Sequence, residues 1–306
     1  MKVLVTGGAG YIGTRLIKKL SANKKIDKII VYDNLMRGNY NLFLGDKFIN
    51  GDSIEFVKGD LLDSRSLKNA LKGVDVVFHL AAKATSPFAN VNLHFYEQIN
   101  NWGTAELTYA VEESDVKKFV YLSSMGVYGF SDDPITEDHP VNPSSFYAIS
   151  KQRGEEHVKR LNKSHNPIIL RCGNVYGYSR SMRFDAVINR FVFEANFDGR
   201  LSIHGSGNQQ RAFIHISSIA DILEQIAVTD IPADTYNVSE RNMSVLDIVD
   251  VLKELKPELE FLFINQQNNY NQQLVSAEQK LKQYIPYDDQ DSFKDQMIEF
   301  LNSFSY

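Results

Sequence analysis

Lys2-Val3-Leu4-Val5-Thr6-Gly7-Gly8-Ala9-Gly10-Tyr11-Ile12-Gly13 opens with a short apolar β-type run, passes through a glycine loop and enters residues 14–20. Ile12, Leu16 and Leu20 recur there at helical spacing. Strand, loop and helix in that order make Gly7, Gly10 and Gly13 candidates for a dinucleotide-binding loop, with Tyr11 and Ile12 at the helix start. Missing side chains let backbone approach a pyrophosphate seated on the helix N-terminus. A second apolar run at residues 29–32 ends in Asp33, 20 residues beyond Gly13 and followed by Asn34. An acid at that position meets the adenosine ribose hydroxyls and repels a 2′-phosphate, which favours NAD over NADP. Arg37 lies close enough to leave NADP open.

Apolar runs at residues 54–57, 74–80, 119–122 and 167–170 alternate with helical stretches such as 67–71 and 96–111. That alternation predicts an α/β fold, a doubly wound parallel (Rossmann) sheet. Ligands sit at the carboxyl ends of such strands, where Gly59-Asp60-Leu61, Leu80-Ala81-Ala82, Ser123-Ser124 and Arg171-Cys172-Gly173-Asn174 would gather. Beyond residue 175 the alternation fades. Residues 1–174 are expected to form the NAD-binding domain, with 211–228 returning to it as a strand and helix of the main sheet. A smaller substrate-binding region takes 175–210 and 229–306, and the Asn/Gln-rich stretch 265–273 is expected to be an exposed loop.

The chain has 306 residues with 43% hydrophobic content, enough for a substantial core. A net charge of −5 with scattered lysines argues against nucleic acid as a partner. One cysteine, Cys172, excludes an intrachain disulfide framework. Following the apolar run 168–170, it reads as a buried small residue. Without a leader pattern or an apolar stretch of about 18 residues, the expectation is a cytoplasmic protein with no membrane partner. No metal ion is expected.

Tyr147 and Lys151 stand four residues apart and share one helical face. A phenol with a pKa of about 10 becomes a useful base near a cation that stabilises its phenolate. On its own the pair is an ordinary helical face.

Thr6 to Gly13, Asp33, Gly59-Asp60-Leu61, His79-Leu80-Ala81-Ala82, Asn100, Ser123-Ser124, Val127-Tyr128-Gly129, Tyr147 with Lys151, and Arg171 with Asn174 occur in one order. Together they resemble the extended short-chain dehydrogenase/reductase family. Within it the chain is most similar to nucleotide-sugar 4-epimerases of the UDP-galactose type. The resemblance implies NAD as cofactor, with Asn100 and Ser123 among the residues of its site, and a nucleotide sugar as substrate. It further implies Tyr147 as general base and acid, Lys151 holding the nicotinamide ribose while lowering the tyrosine pKa, and Ser124 bonding the same substrate oxygen. Asn174 and Arg211 would contact the nucleotide diphosphate, an arginine fork suiting phosphate. A homodimer through helices at 96–113 and 147–161 is implied too.

Related 4,6-dehydratases carry Asp-Glu directly before Val-Tyr-Gly, where this chain has Met125-Gly126, so dehydration is not expected. Departures from the epimerase pattern are Ala212 and Ser218 at positions where aspartates are usual, and the lack of a second arginine around residues 268–275. Trp102 is expected to be a packing residue. A nucleotide-sugar dehydrogenase or ketoreductase, or a non-catalytic dinucleotide sensor, would use the same motifs and stays open as an alternative.

Overall fold

Val3, Leu4 and Val5 have no solvent exposure, because β1 (Lys2–Thr6) runs through the interior of a seven-stranded sheet with a neighbour on each side. The computed structural model describes residues 1–45, 47–84, 93–264, 272–287 and 291–304. After β1 come α1 (Tyr11–Ala22), β2 (Lys28–Asp33), β3 (Ile54–Lys58), α2 (Ser64–Ala70) and β4 (Val76–His79). Next, α3 (Leu93–Tyr96) passes through a π-helical turn (Glu97–Trp102) into α4 (Gly103–Glu112), and β5 (Lys118–Ser124) follows. The second half holds β6 (Ser131–Ile135), α5 (Phe146–Lys159), β7 (Pro167–Cys172), β8 (Asn174–Tyr176), α6 (Val187–Phe197) and β9 (Arg200–His204). It continues with β10 (Gln210–His215), α7 (Ile216–Val228), β11 (Thr235–Val238), β12 (Arg241–Ser244), α8 (Val245–Leu255), β13 (Glu260–Ile264), β14 (Gln273–Val275) and α9 (Phe293–Asn302).

The main sheet has the order β11-β7-β5-β4-β1-β2-β3, and all its pairings are parallel. Successive side chains of a strand point to opposite faces. Val3 and Val5 therefore join the core under α1 and α7, while Leu4 joins the core under α2, α4 and α5. A third core, built on Phe191, Val192, Leu201, Ile248, Leu252 and Met297, holds the smaller region together. Burial of this kind contributes roughly 25 cal/mol per Å² of apolar surface.

Two expectations need correction. Residues 210–215 do not join the main sheet: β10 lies between β12, to which it is antiparallel, and β8, to which it is parallel. The apolar run Ala212-Phe213-Ile214 is buried there, and hydrophobicity alone cannot tell which sheet buries it. Its helix α7 does pack on the main core beside α1. The seventh strand is β11, in the portion assigned to the substrate region. Trp102 is not packed inside but 59% exposed. Residues 265–271 of the Asn/Gln-rich stretch lie outside the described residues. Among the described residues no helix is long and apolar enough to cross a membrane.

Glycine is required at Gly13 by close approach, since a Cβ there would come within 2.5 Å of the Gly7 carbonyl oxygen and 2.6 Å of the Gly8 Cα. Both are backbone atoms, so nothing can rotate away. Gly13→Ala is expected to lower the unfolding free energy by about 1–3 kcal/mol in urea denaturation.

Candidate active site

A cavity of about 660 Å³ opens at the carboxyl ends of β1, β2, β4, β5 and β7, a size suited to small ligands. Gly7, Gly10, Tyr11, Ile12, Gly13, Asp33, Asn34, Asp60, Leu61, Leu80, Ala81, Ala82, Ser123, Ser124, Tyr147, Lys151, Asn174 and Arg211 all line it. Asn100 does not. It sits fully buried behind the wall in the π-helical turn, accepting from the Lys83 amide at 2.8 Å and donating to the Lys83 carbonyl and to Ser150 Oγ, each at 3.0 Å. Ser150 Oγ in turn donates to the Tyr147 carbonyl at 2.8 Å, so Asn100 ties the segment after Ala82 to the start of α5.

At the glycine loop, Gly7 takes a φ of +70° and lies so close to Ala81 that a Cβ would meet that residue's backbone at 2.6 Å. This brings the ends of β1 and β4 together beneath the start of α1, whose first turn carries no acidic side chain. The amides of a helix's first turn lack partners within the helix and carry partial positive charge. Asp33 accepts from the Ala9 amide at 3.0 Å and the Leu35 amide at 2.8 Å, which fixes its carboxylate across the loop. Burial raises its pKa, and those two bonds oppose the shift. Asp60 accepts from the Leu62 amide and from Asn34 Nδ2, both at 3.0 Å. Glycine loop, unencumbered helix start and fixed acid fit the pyrophosphate and ribose of NAD.

Across the cavity, β5 ends at Ser124, whose Oγ accepts from the Gly126 amide at 3.1 Å and caps the turn Met125–Tyr128. Helix α5 starts at a Ser145 cap, its Oγ accepting from the Ala148 amide at 3.2 Å, which places Tyr147 in the first turn and Lys151 one turn deeper. Lys151 is only 2% exposed, and its Nζ lies 4.1 Å from the centroid of the Tyr121 ring. Burial pushes the lysine down to about 7, opposed by the charge of Glu155. Burial raises the Tyr147 phenol, opposed by the charge of the Arg183 guanidinium and a hydrogen bond with Ser124.

Asn174 donates from Nδ2 to the Ala212 carbonyl at 3.1 Å, joining β8 to β10. Arg211 enters from β10 with its guanidinium 5.7 Å from the Phe130 ring centroid, and burial lowers its pKa. Arg183 and Gln273 are among the lining residues that the sequence does not single out. Arg183 is bonded to Asp185 at 3.2 Å and acts on Tyr147 from the chain beyond β8. Gln273, the last residue of the stretch expected to be an exposed loop, is instead buried in β14 and donates from Nε2 to the Met125 and Gly129 carbonyls, each at 2.8 Å. Among the described residues no group of three His, Cys, Asp or Glu side chains could hold a metal ion.

A family model described as the NAD dependent epimerase/dehydratase family matches residues 3–239. The chain belongs to that family. It is 34% identical over 232 residues to a UDP-glucose 4-epimerase of Mycolicibacterium smegmatis, covering 72% of this chain and 71% of that protein. It is also 31% identical over 271 residues to a mouse dTDP-D-glucose 4,6-dehydratase, covering 85% and 75% of the two chains. A crystal structure of UDP-glucuronic acid 4-epimerase from Bacillus cereus, in complex with UDP-glucuronic acid and NAD, superposes with a TM-score of 0.87 at 25% identity, covering 99% of this chain and 98% of that one. Both reactions of the family name thus occur among the relatives.

Asp33 makes a discriminating test of the cofactor site. Calorimetric titration is expected to give at least about tenfold tighter binding of NAD than of NADP, and Asp33→Ser is expected to narrow that ratio.

Proposed function

We propose that this family member is an NAD-dependent nucleotide-sugar 4-epimerase. The observation carrying the proposal is that the Tyr147 phenol, the Ser124 hydroxyl and the buried Lys151 meet in the cavity that holds the glycine loop, while the turn after Ser124 offers Met125 and Gly126 instead of acids.

Bound NAD supplies an acceptor, and afterwards a donor, for a hydride at the sugar C4. Tyr147 takes the proton of the C4 hydroxyl as a general base, while Ser124 holds the same oxygen by a hydrogen bond. Lys151 offers its ammonium to the Tyr147 phenolate that serves as this base, which becomes a phenol as the proton arrives, and its donors to the nicotinamide ribose. After the 4-keto sugar turns over in the cavity, Tyr147 returns its proton to the new hydroxyl. Arg211 and Asn174 anchor the diphosphate, so the nucleotide stays while the ring moves.

Elimination of water from C5 and C6 needs an acid and a base beside the ring. Met125 and Gly126 provide neither, which favours epimerisation over the dehydration named for other relatives. A net dehydrogenase shares the catalytic residues but accumulates reduced cofactor. The exposed aromatic side chains of Trp102 and Tyr109 around α4, with Phe146 at the start of α5, support a homodimer through these helices.

Incubation with a panel of nucleotide sugars, followed by NMR at C4, is expected to show an equilibrium mixture of the two C4 epimers without lasting absorbance change at 340 nm. Conversion of none by protein holding NAD sinks the proposal, and steady growth at 340 nm replaces it with a dehydrogenase. Tyr147→Phe is expected to lower kcat by about 10² to 10⁴. Light scattering is expected to give twice the chain mass; a monomer removes the dimer.

A further inference from the structure

Lys151 is almost wholly withdrawn from water, at 2% exposure. A buried ammonium is tolerated when a partner replaces its lost hydration. The acid one turn deeper on α5, Glu155, is fully buried and already engaged. Arg171 of β7 grips it with both arms of its fork, Nε to Oε1 at 3.1 Å and Nη2 to Oε2 at 2.7 Å, and Ser123 Oγ of β5 donates to Oε1 at 2.6 Å. Among the described residues the ion pairs of that carboxylate are with Arg171 and Lys159, not with Lys151.

What the ammonium does meet is the Tyr121 ring of β5. Its Nζ lies 4.1 Å from the ring centroid, well inside the roughly 6 Å over which an aromatic face attracts a cation. The ring is fixed in place. Tyr121 has no solvent exposure, and its hydroxyl donates to the Lys151 carbonyl at 3.3 Å. Gly154, three residues further along the same helix, leaves the phenol its room, since a Cβ there would come within 2.3 Å of the Tyr121 hydroxyl oxygen. Burial raises the Tyr121 phenol well above its ordinary pKa, so the lysine meets a neutral ring and not a phenolate.

We propose that Tyr121 is a positioning residue for Lys151: its ring face, 4.1 Å from the ammonium, stands in for a counter-charge and keeps the buried lysine charged where it lines the cavity.

The other groups around Lys151 are committed elsewhere. From β4 comes His79, fully buried between Thr6 Oγ1 at 2.7 Å and Thr104 Oγ1 at 2.9 Å and held neutral by burial, its ring centroid 5.3 Å from that of Tyr121. From α5 come Tyr147 and Glu155; the charge of Glu155 favours the ammonium, while its oxygens serve Arg171 and Ser123. Burial without compensation discharges an amine, and a neutral amine cannot stabilise a phenolate. A ring face attracts the charged form and not the neutral one.

The proposal rests on the assignment of Tyr147 and Lys151 as the proton-transfer pair, so its test reads the lysine without any substrate. In protein labelled with 13C at lysine Cε, the Lys151 resonance, identified by its loss in Lys151→Met, is followed by NMR across neutral pH. Tyr121→Phe keeps the ring and removes the hydroxyl, and its titration midpoint is expected to match the wild-type value. Tyr121→Leu removes the ring and is expected to lower the midpoint by about one pH unit or more. Leucine also leaves space in the core, so phenylalanine bearing one, two or three fluorines is placed at position 121 beside it. Fluorine draws electron density from the ring face while the shape is kept, and the midpoint is expected to fall with each fluorine. One midpoint across the fluorinated series overturns the proposal, whether or not Tyr121→Leu folds. A fall already complete in Tyr121→Phe overturns it too, by assigning the effect to the hydroxyl. A wild-type protein inactive on every nucleotide sugar, with the stepwise fall present, leaves this role of Tyr121 standing and removes only the epimerase.

Discussion

Parallel pairing of β1 with β2 on one side and β4 on the other is the constraint on which the rest depends. Because these strands run the same way, their chain exits all emerge at one edge, and everything polar that follows a strand is delivered to one place. Gly7 is where that constraint is tightest. Its contact with Ala81 closes the gap between the exits of β1 and β4, so the helix start of α1 and the chain after β4 form one continuous wall.

The opposite wall works by exclusion of water. Lys151 under the Tyr121 ring, Glu155 gripped by Arg171, and His79 between two threonines form a buried polar layer behind Ser124 and Tyr147. Such groups are tolerated inside a protein only when each has a partner, and these do. A layer of this kind leaves little play in the relative placement of Ser124, Tyr147 and Lys151. The cation–π contact at Tyr121 also seats the lysine against β5.

Much of this was legible in the sequence because the signals were local. Gly7 to Gly13 before a helical pattern, and Asp33 at the end of an apolar run, need only nearest-neighbour geometry to be understood. What failed was non-local. Ala212 to Ile214 reads as a buried strand in any sheet, and only pairing with β12 and β8 decides which one; β11, with four residues, is too short to announce itself. Spacing along a helix brings Lys151 near Tyr147 but does not say where its ammonium points or that Arg183 arrives from another part of the chain. Asn100 stays just behind the cavity wall, its amide nitrogen donating to the Lys83 carbonyl and to Ser150 Oγ.

Gln273 ties the end of the chain to its middle, bonding the turn after Ser124 across 148 and 144 residues. Contacts of such sequence separation form late, because the entropy of closing the loop comes before the reward. During synthesis the wall containing the glycine loop can therefore assemble while the turn beside Ser124 still lacks its final fastener. A nascent chain holds a place for the dinucleotide before it holds a finished place for the sugar.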